Sequence, residues 1–137
     1  MLLREIERED LNTSYLELLN ELSPSSHKVN FDKEWFTFNS NDDHYILVVS
    51  HHSRIVGTAS LLLERKLDGR IAGHIEDVIV SRPQRSAGLG RMLINGLIEI
   101  AKREQCYKIV LNCSDKNIPF YSKFGFFYSD NGMKLIT

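Results

Sequence analysis

Arg85-Ser86-Ala87-Gly88-Leu89-Gly90 holds the densest chemistry in this sequence. It follows an apolar run ending Val78-Ile79-Val80 and opens an amphipathic stretch that continues through Arg91 to about Gln105. Glycines at such a junction let an anion approach main-chain N–H groups closely. The first amides of a helix lack internal acceptors, and the helix dipole makes that end positive. A basic glycine loop of this kind suits a phosphate or pyrophosphate. Its spacing is not G-x-G-x-x-G, and no Gly-Lys-Ser/Thr follows, so neither the dinucleotide fingerprint nor the Walker loop is present.

Three further groups can move protons or hold polar atoms. Glu76 and Asp77 lie inside the apolar run before the loop. Adjacent residues of a regular strand face opposite sides, so one of them can reach a given atom unless the strand bulges there. A carboxylate so placed can help remove an ammonium proton; the other reading is a structural acid that holds backbone or a basic partner. Tyr121, in Phe120-Tyr121-Ser122-Lys123-Phe124, can donate to a departing anion or pack among its aromatic neighbours. Asn117 can bond a ligand or cap a short helix.

These groups must be positioned by regular elements. The pattern predicts a helix capped by Asp10 with Leu11, Tyr15, Leu18, Leu19 and Leu22 on one face, ended by Ser23-Pro24-Ser25-Ser26. Asp32 is expected to cap a second short helix carrying Trp35, Phe36 and Phe38. Strands are expected over Tyr45–Val49, Ile55–Leu63 and Ile71–Val80, with turns at His51-His52-Ser53-Arg54 and Asp68-Gly69. The helix after the glycine loop turns Leu89, Leu93, Leu97, Ile100 and Ala101 inward. Tyr107–Cys113 reads as strand, Asn117–Phe124 as a short helix, and Phe126 to the end as a strand pair around Asn131-Gly132. The order ααβββαβαβ is α/β (α+β): a mixed sheet flanked by helices.

The chain has 137 residues, enough for one domain over 1–137, and a net charge of −1. Nothing in that balance favours nucleic acid or an anionic membrane as partner. No apolar run approaches membrane-span length, and the start, Met1-Leu2-Leu3-Arg4-Glu5, lacks a signal-peptide core. Cys106 and Cys113 are read as reduced thiols, with neither a disulfide nor a metal site. A cytoplasmic location is expected.

Arg85-x-x-Gly88-x-Gly90 between strand and helix, followed by a strand and Asn117-x-x-Phe120-Tyr121-x-x-Phe124-Gly125-Phe126, resembles the GNAT superfamily of acyl-CoA-dependent N-acetyltransferases. The resemblance runs from about Ile55 to the end. It implies a GNAT fold: a mixed, mostly antiparallel sheet with splayed central strands and pantetheine in the gap. It implies acetyl-CoA as cosubstrate, held by Val78, Ile79, Val80, Arg85, Ser86, Ala87, Gly88, Leu89, Gly90, Arg91, Asn117, Phe120 and Tyr121, with no metal. A main-chain amide near Asp77–Val78 is the implied oxyanion donor.

Within that superfamily, Gly73-His74-Ile75-Glu76-Asp77-Val78, Cys106-Tyr107-Lys108-Ile109-Val110-Leu111, Leu63-Glu64-Arg65-Lys66 and Asn112-Cys113 look like the glucosamine 6-phosphate N-acetyltransferases. That resemblance implies acetyl transfer to the 2-amine of glucosamine 6-phosphate, feeding UDP-N-acetylglucosamine synthesis, by a homodimer whose subunits share the site. It implies Tyr121, Glu76 and Asp77 as catalytic residues. Arg65, Lys66, Glu76, Asp77, Tyr107, Lys108 and Asn112 are the implied substrate contacts. Asn112 departs from the pattern, since relatives carry an acid there and an amide cannot take a proton. Relatives also carry an arginine near the end, where this chain has Lys134. The alternatives are a GNAT enzyme for another small amine, such as a polyamine or amino acid, and a non-catalytic acyl-CoA-binding regulator. Arg65 and Lys66 speak against the polyamine, Tyr121 against the regulator.

Overall fold

Val48, Val49, Ala59, Leu61 and Ala72 have no exposed surface, and they fall on neighbouring strands of one sheet. The computed structural model describes residues 1–137. Its sheet contains β1 (Leu2–Glu5), β2 (His44–His51), β3 (Arg54–Arg65), β4 (Ile71–Val80) and β5 (Lys108–Val110), in that spatial order. The first four strands are antiparallel and β5 lies parallel to β4. α3 (Leu89–Arg103) covers one face, while α1 (Thr13–Asn20) and α2 (Phe31–Asn39) lie on the other. α4 (Ile118–Ser122) follows β5.

The strands form where period-two burial is available. On β3, Ala59, Leu61 and Leu63 meet the α3 residues Leu93, Ile94 and Leu97. The opposite face is polar in part. Thr58 Oγ1 donates to Leu47 O at 3.0 Å, so it accepts from the Tyr15 hydroxyl, also at 3.0 Å. This buried chain of bonds fastens α1 to the sheet. His52 and Ser53 both have positive φ, at 50° and 62°, which matches the tight turn expected between β2 and β3. Gly69, at φ 89°, serves the β3–β4 turn.

Several expectations differ in detail. β1 was not legible as a strand, because its short apolar stretch gains meaning only from pairing with β2. The α1 cap is Asn12, whose side chain accepts the Tyr15 N–H at 3.0 Å. Asp10 instead accepts both Arg4 guanidinium nitrogens at 2.7 and 2.9 Å and the Glu7 N–H at 2.8 Å. Asn30 caps α2, so Asp32 lies inside it and meets Arg8 at 2.6 Å. Phe36 and Leu22 face outward. The largest difference is the C-terminus: no strand forms after α4. A strand needs a ladder partner for its N–H and C=O groups, and no other segment of this chain pairs with the tail. Phe127, Tyr128, Met133, Leu135 and Ile136 are left exposed.

Candidate active site

β4 is where the site begins. Thr58 pairs with Ile79, but Ser60 pairs with Glu76, so Asp77 and Val78 together oppose Ala59. This is a β-bulge, and Asp77 adopts φ 51° to make it. The extra residue breaks the alternation expected of adjacent acids. Both carboxylates are exposed, Glu76 opposite Ser60 and Asp77 lining a cleft of about 220 Å³ beneath α1 and α2. Tyr15, Trp35, Phe38, His44 and Ser60 share that cleft. Val78 and Val80 pack toward the α3 side, and Ile79 is buried.

Past the bulge the sheet opens. β4 and β5 pair only over Ala72–His74 and Lys108–Val110. From Ile75 to Val80, β4 has no partner on that side, and the chain after Val110 leaves the ladder. The splayed central strands are therefore present. Asn112 and Cys113 follow β5 outside the ladder, and the chain runs from them into α4, whose Tyr121 lies near Cys113.

The glycine loop closes one end of this gap. Ser86 and Gly88 both have positive φ, at 70° and 81°, and Gly88 stands as the α3 N-cap. The backbone N–H groups from Ser86 through Arg91 find no acceptor in the chain; the first used is Met92 N–H, to Gly88 O at 3.2 Å. A run of unused amides at a helix start is an anion cradle. Arg85 Nε donates to Val80 O at 3.1 Å, which fixes the loop to the end of β4. Arg91 makes no ion pair. The Leu89 side chain is buried in the core, and its amide is among those without an acceptor.

Phe120 and Tyr121 stand on α4 with ring centroids 5.0 Å apart, and Phe126 lies 6.0 Å from Tyr121. Tyr121 is 9% exposed, and burial pushes its hydroxyl above the ordinary phenol range, with Cys113 nearby adding to the effect. It remains a proton donor at neutral pH. Its hydroxyl has no partner in the chain. Asn117 ends the turn before α4 but makes no side-chain cap. Asn117 sits in a helical conformation, φ −95° and ψ −6°, not the extended one of a capping residue, and Pro119 offers no N–H to it.

The basic residues gather elsewhere. Lys66 N–H donates to Arg70 O and Tyr107 N–H to Ile71 O, both at 2.9 Å, so these segments meet at the β3–β4 turn. The Arg70 guanidinium stands 4.4 Å over the Tyr107 ring and Lys108 Nζ 5.3 Å from it. Arg65 pairs with Asp43 at 3.0 Å and Lys66 with Glu64 at 3.2 Å. From Ile71, which pairs with Arg65, to Asp77 is roughly 20 Å of strand. That exceeds a hexose phosphate, so Arg65 and Lys66 are not brought to Asp77 of the same chain; Lys108, opposite Ala72, stands roughly 13 Å of strand from Glu76. Arg70 joins this basic group without having been singled out; its only signal was its place after the Asp68-Gly69 turn. The sequence marks Tyr15 only as an inward residue of the first helix and gives no sign of His44 or Ser60, because three separate elements place them beside Asp77.

The profile of the acetyltransferase (GNAT) family matches residues 7–126. A glucosamine 6-phosphate N-acetyltransferase of Trypanosoma brucei brucei is 49% identical over 84 residues, which cover 60% of this chain and 57% of that protein. The glucosamine 6-phosphate N-acetyltransferase 1 of Oryza sativa subsp. japonica is 34% identical over 134 residues, covering 90% of this chain and 79% of its own. The crystal structure of glucosamine-6-phosphate N-acetyltransferase from Arabidopsis thaliana superposes with a TM-score of 0.93 at 32% identity, over 98% of this chain and 97% of that one. With bulge, splayed strands and free loop amides all in place, this chain belongs to the GNAT acetyltransferase family.

Proposed function

We propose that this chain transfers acetyl from acetyl-CoA to the 2-amine of glucosamine 6-phosphate, giving N-acetylglucosamine 6-phosphate and CoA on the route to UDP-N-acetylglucosamine. Three observations carry the reading together: the bulge at Asp77 on β4, the unpartnered amides Ser86–Arg91 beyond the end of that strand, and the buried Tyr121 on α4. The relatives that share this chain's fold and sequence carry that activity in their names, which narrows the amine.

Acetyl-CoA supplies the activated thioester. The amides of Ser86, Ala87, Gly88, Leu89, Gly90 and Arg91 hold its pyrophosphate, with Arg85 and Arg91 adding charge. Val78, Ile79, Val80 and Asn117 line its arm, and Phe120 walls the gap. A main-chain N–H near Asp77–Val78 stabilises charge on the carbonyl oxygen during attack. Tyr121, kept protonated by burial, donates to the departing sulfur. Asp77 attracts the substrate ammonium and helps remove its proton; Glu76 and Asn112 bond the sugar.

The phosphate of the sugar needs cations, and none lines the cleft beside Asp77. A homodimer answers this. Tyr107 and Lys108, with Arg65 and Lys66, would then act at the partner's acids. The free edge of β5 and the exposed apolar tail are the surfaces such a dimer covers. The proposed setting is the cytosol, in keeping with two unpaired thiols, Cys106 and Cys113. No helix is long and apolar enough to cross a membrane.

The test is CoA release with an amine panel. Glucosamine 6-phosphate is expected to show a far higher kcat/KM than glucosamine, because charge-assisted bonds to the phosphate are lost in the latter. Equal values for the two sugars, or preference for a polyamine, would overturn the substrate assignment.

A further inference from the structure

Glu21, just beyond the end of α1, reaches across to the phosphate loop. Its Oε1 accepts the Arg82 N–H at 3.3 Å and stands 3.8 Å from Arg82 Nε and 4.0 Å from Arg85 Nη2. The two arginine side chains are 75% and 55% exposed, but Glu21 is 26% exposed. Both guanidiniums therefore keep an open side that a phosphate can approach, Arg85 with its Nε engaged by Val80 O, while the carboxylate is held in place among its neighbours. The loop meets its ligand with its amides open and its two flanking cations already facing an anion.

We propose that Glu21 is the resident counter-anion of the phosphate loop, a positioning residue that holds Arg82 and Arg85 and, by its charge, sets how tightly the loop binds acyl-CoA phosphates. This rests on the reading that the loop holds those phosphates. A phosphate drawing on the same guanidiniums competes with the carboxylate and is repelled by it. The acceptor-side helix α1 and the cofactor loop are thereby joined through one side chain. The effect is modest, because exposed ion pairs are weak and screened by salt.

Glu21→Gln keeps an oxygen for the Arg82 N–H and removes the charge. Calorimetry with CoA at low salt is expected to show about 3–5-fold tighter binding than wild type, converging at roughly 0.5 M salt. Glu21→Asp, which draws the carboxylate back from the arginines, is expected to fall between the two. Glu17→Gln, an exposed α1 carboxylate, is expected to leave CoA affinity unchanged. S-acetyl-pantetheine has the thioester and no phosphate, so its KM is expected to be equal in wild type and Glu21→Gln. Unchanged CoA affinity in both Glu21 variants would overturn the proposal. So would an equal shift for CoA and S-acetyl-pantetheine, since that marks a general loop distortion. Folded wild-type protein that binds no CoA would overturn the reading of the loop, and this proposal with it.

Discussion

Gly90 and Phe120 meet so closely that a methyl group at Gly90 would stand 3.1 Å from Phe120 Cζ. The first turn of α3 thus leans directly on α4, and the ring beside Tyr121 fills the space a side chain would take. Gly88 is different: nothing lies near a side chain there, but its φ of 81° resists one. The two glycines answer separate demands, one of close packing and one of backbone conformation.

Gly88→Val is expected to weaken CoA binding, since a β-branched residue opposes the left-handed backbone and crowds the loop amides. Gly90→Ala is expected to weaken CoA binding less than Gly88→Val and to lower kcat, because the displaced Phe120 ring carries Tyr121 with it. Calorimetry and steady-state kinetics on both variants separate the effects. Equal losses of affinity in the two would refute the division.

Tyr121→Phe keeps the ring contacts with Phe120 and Phe126 and removes only the hydroxyl. If that hydroxyl donates to the departing thiolate, kcat should fall roughly 10²–10⁴-fold with acetyl-CoA affinity little changed. A wild-type single-turnover rate across pH would reduce Tyr121 to a packing residue.

Acid should weaken the fold in two windows. His44 Nε2 is buried without a partner, and burial lowers the imidazole below its ordinary value while Asp77 partly offsets this. Its folded value being depressed, the related stability is present above the unfolded value, about 6.5, and is lost as pH falls through the folded one. Asp10 is also depressed, first by its bond to Arg4, so its stability is lost below about pH 4. Denaturant midpoints measured from pH 8 to 3 should show both losses. His44→Phe should remove the first and raise neutral stability by about 0.5–1.5 kcal/mol; Asp10→Asn should remove the second. A midpoint that is flat from pH 7 to 5 in wild type would contradict the His44 assignment.

Removal of residues 127–137 deletes the exposed Phe127, Tyr128, Met133, Leu135 and Ile136. Sedimentation at assay concentration should then show a monomer with little activity on glucosamine 6-phosphate, against a dimer for the whole chain. Mixing a Lys66→Ala/Lys108→Ala variant with Tyr121→Phe should restore part of the activity, one intact site forming per mixed dimer. A fully active monomeric form would rule out the shared site.

The order of elements from Ile55 to Phe124 was legible in the sequence, because each signal there is local. Alternation marks β3 and β4, the positive-φ turns flag themselves through Asp68-Gly69, and the stripe from Leu89 to Ala101 declares one face of α3. The loop chemistry was equally local: a strand, two glycines and a helix start suffice to leave amides unused. The helix caps were less so, since Asn12 and Asn30 compete with nearby Asp10 and Asp32, and only the tertiary partners Arg4 and Arg8 draw those acids away. The site itself was decided in three dimensions. Pairing between β3 and β4 placed the bulge at Asp77, helix packing brought His44, Ser60 and Tyr15 to the same cleft, and strand length carried Arg65 away from the acids. Glu21 reaches Arg82 only because α1 folds back over the sheet. Local conformation follows from neighbouring residues, whereas contacts between distant segments follow from which surfaces the whole chain can bury together.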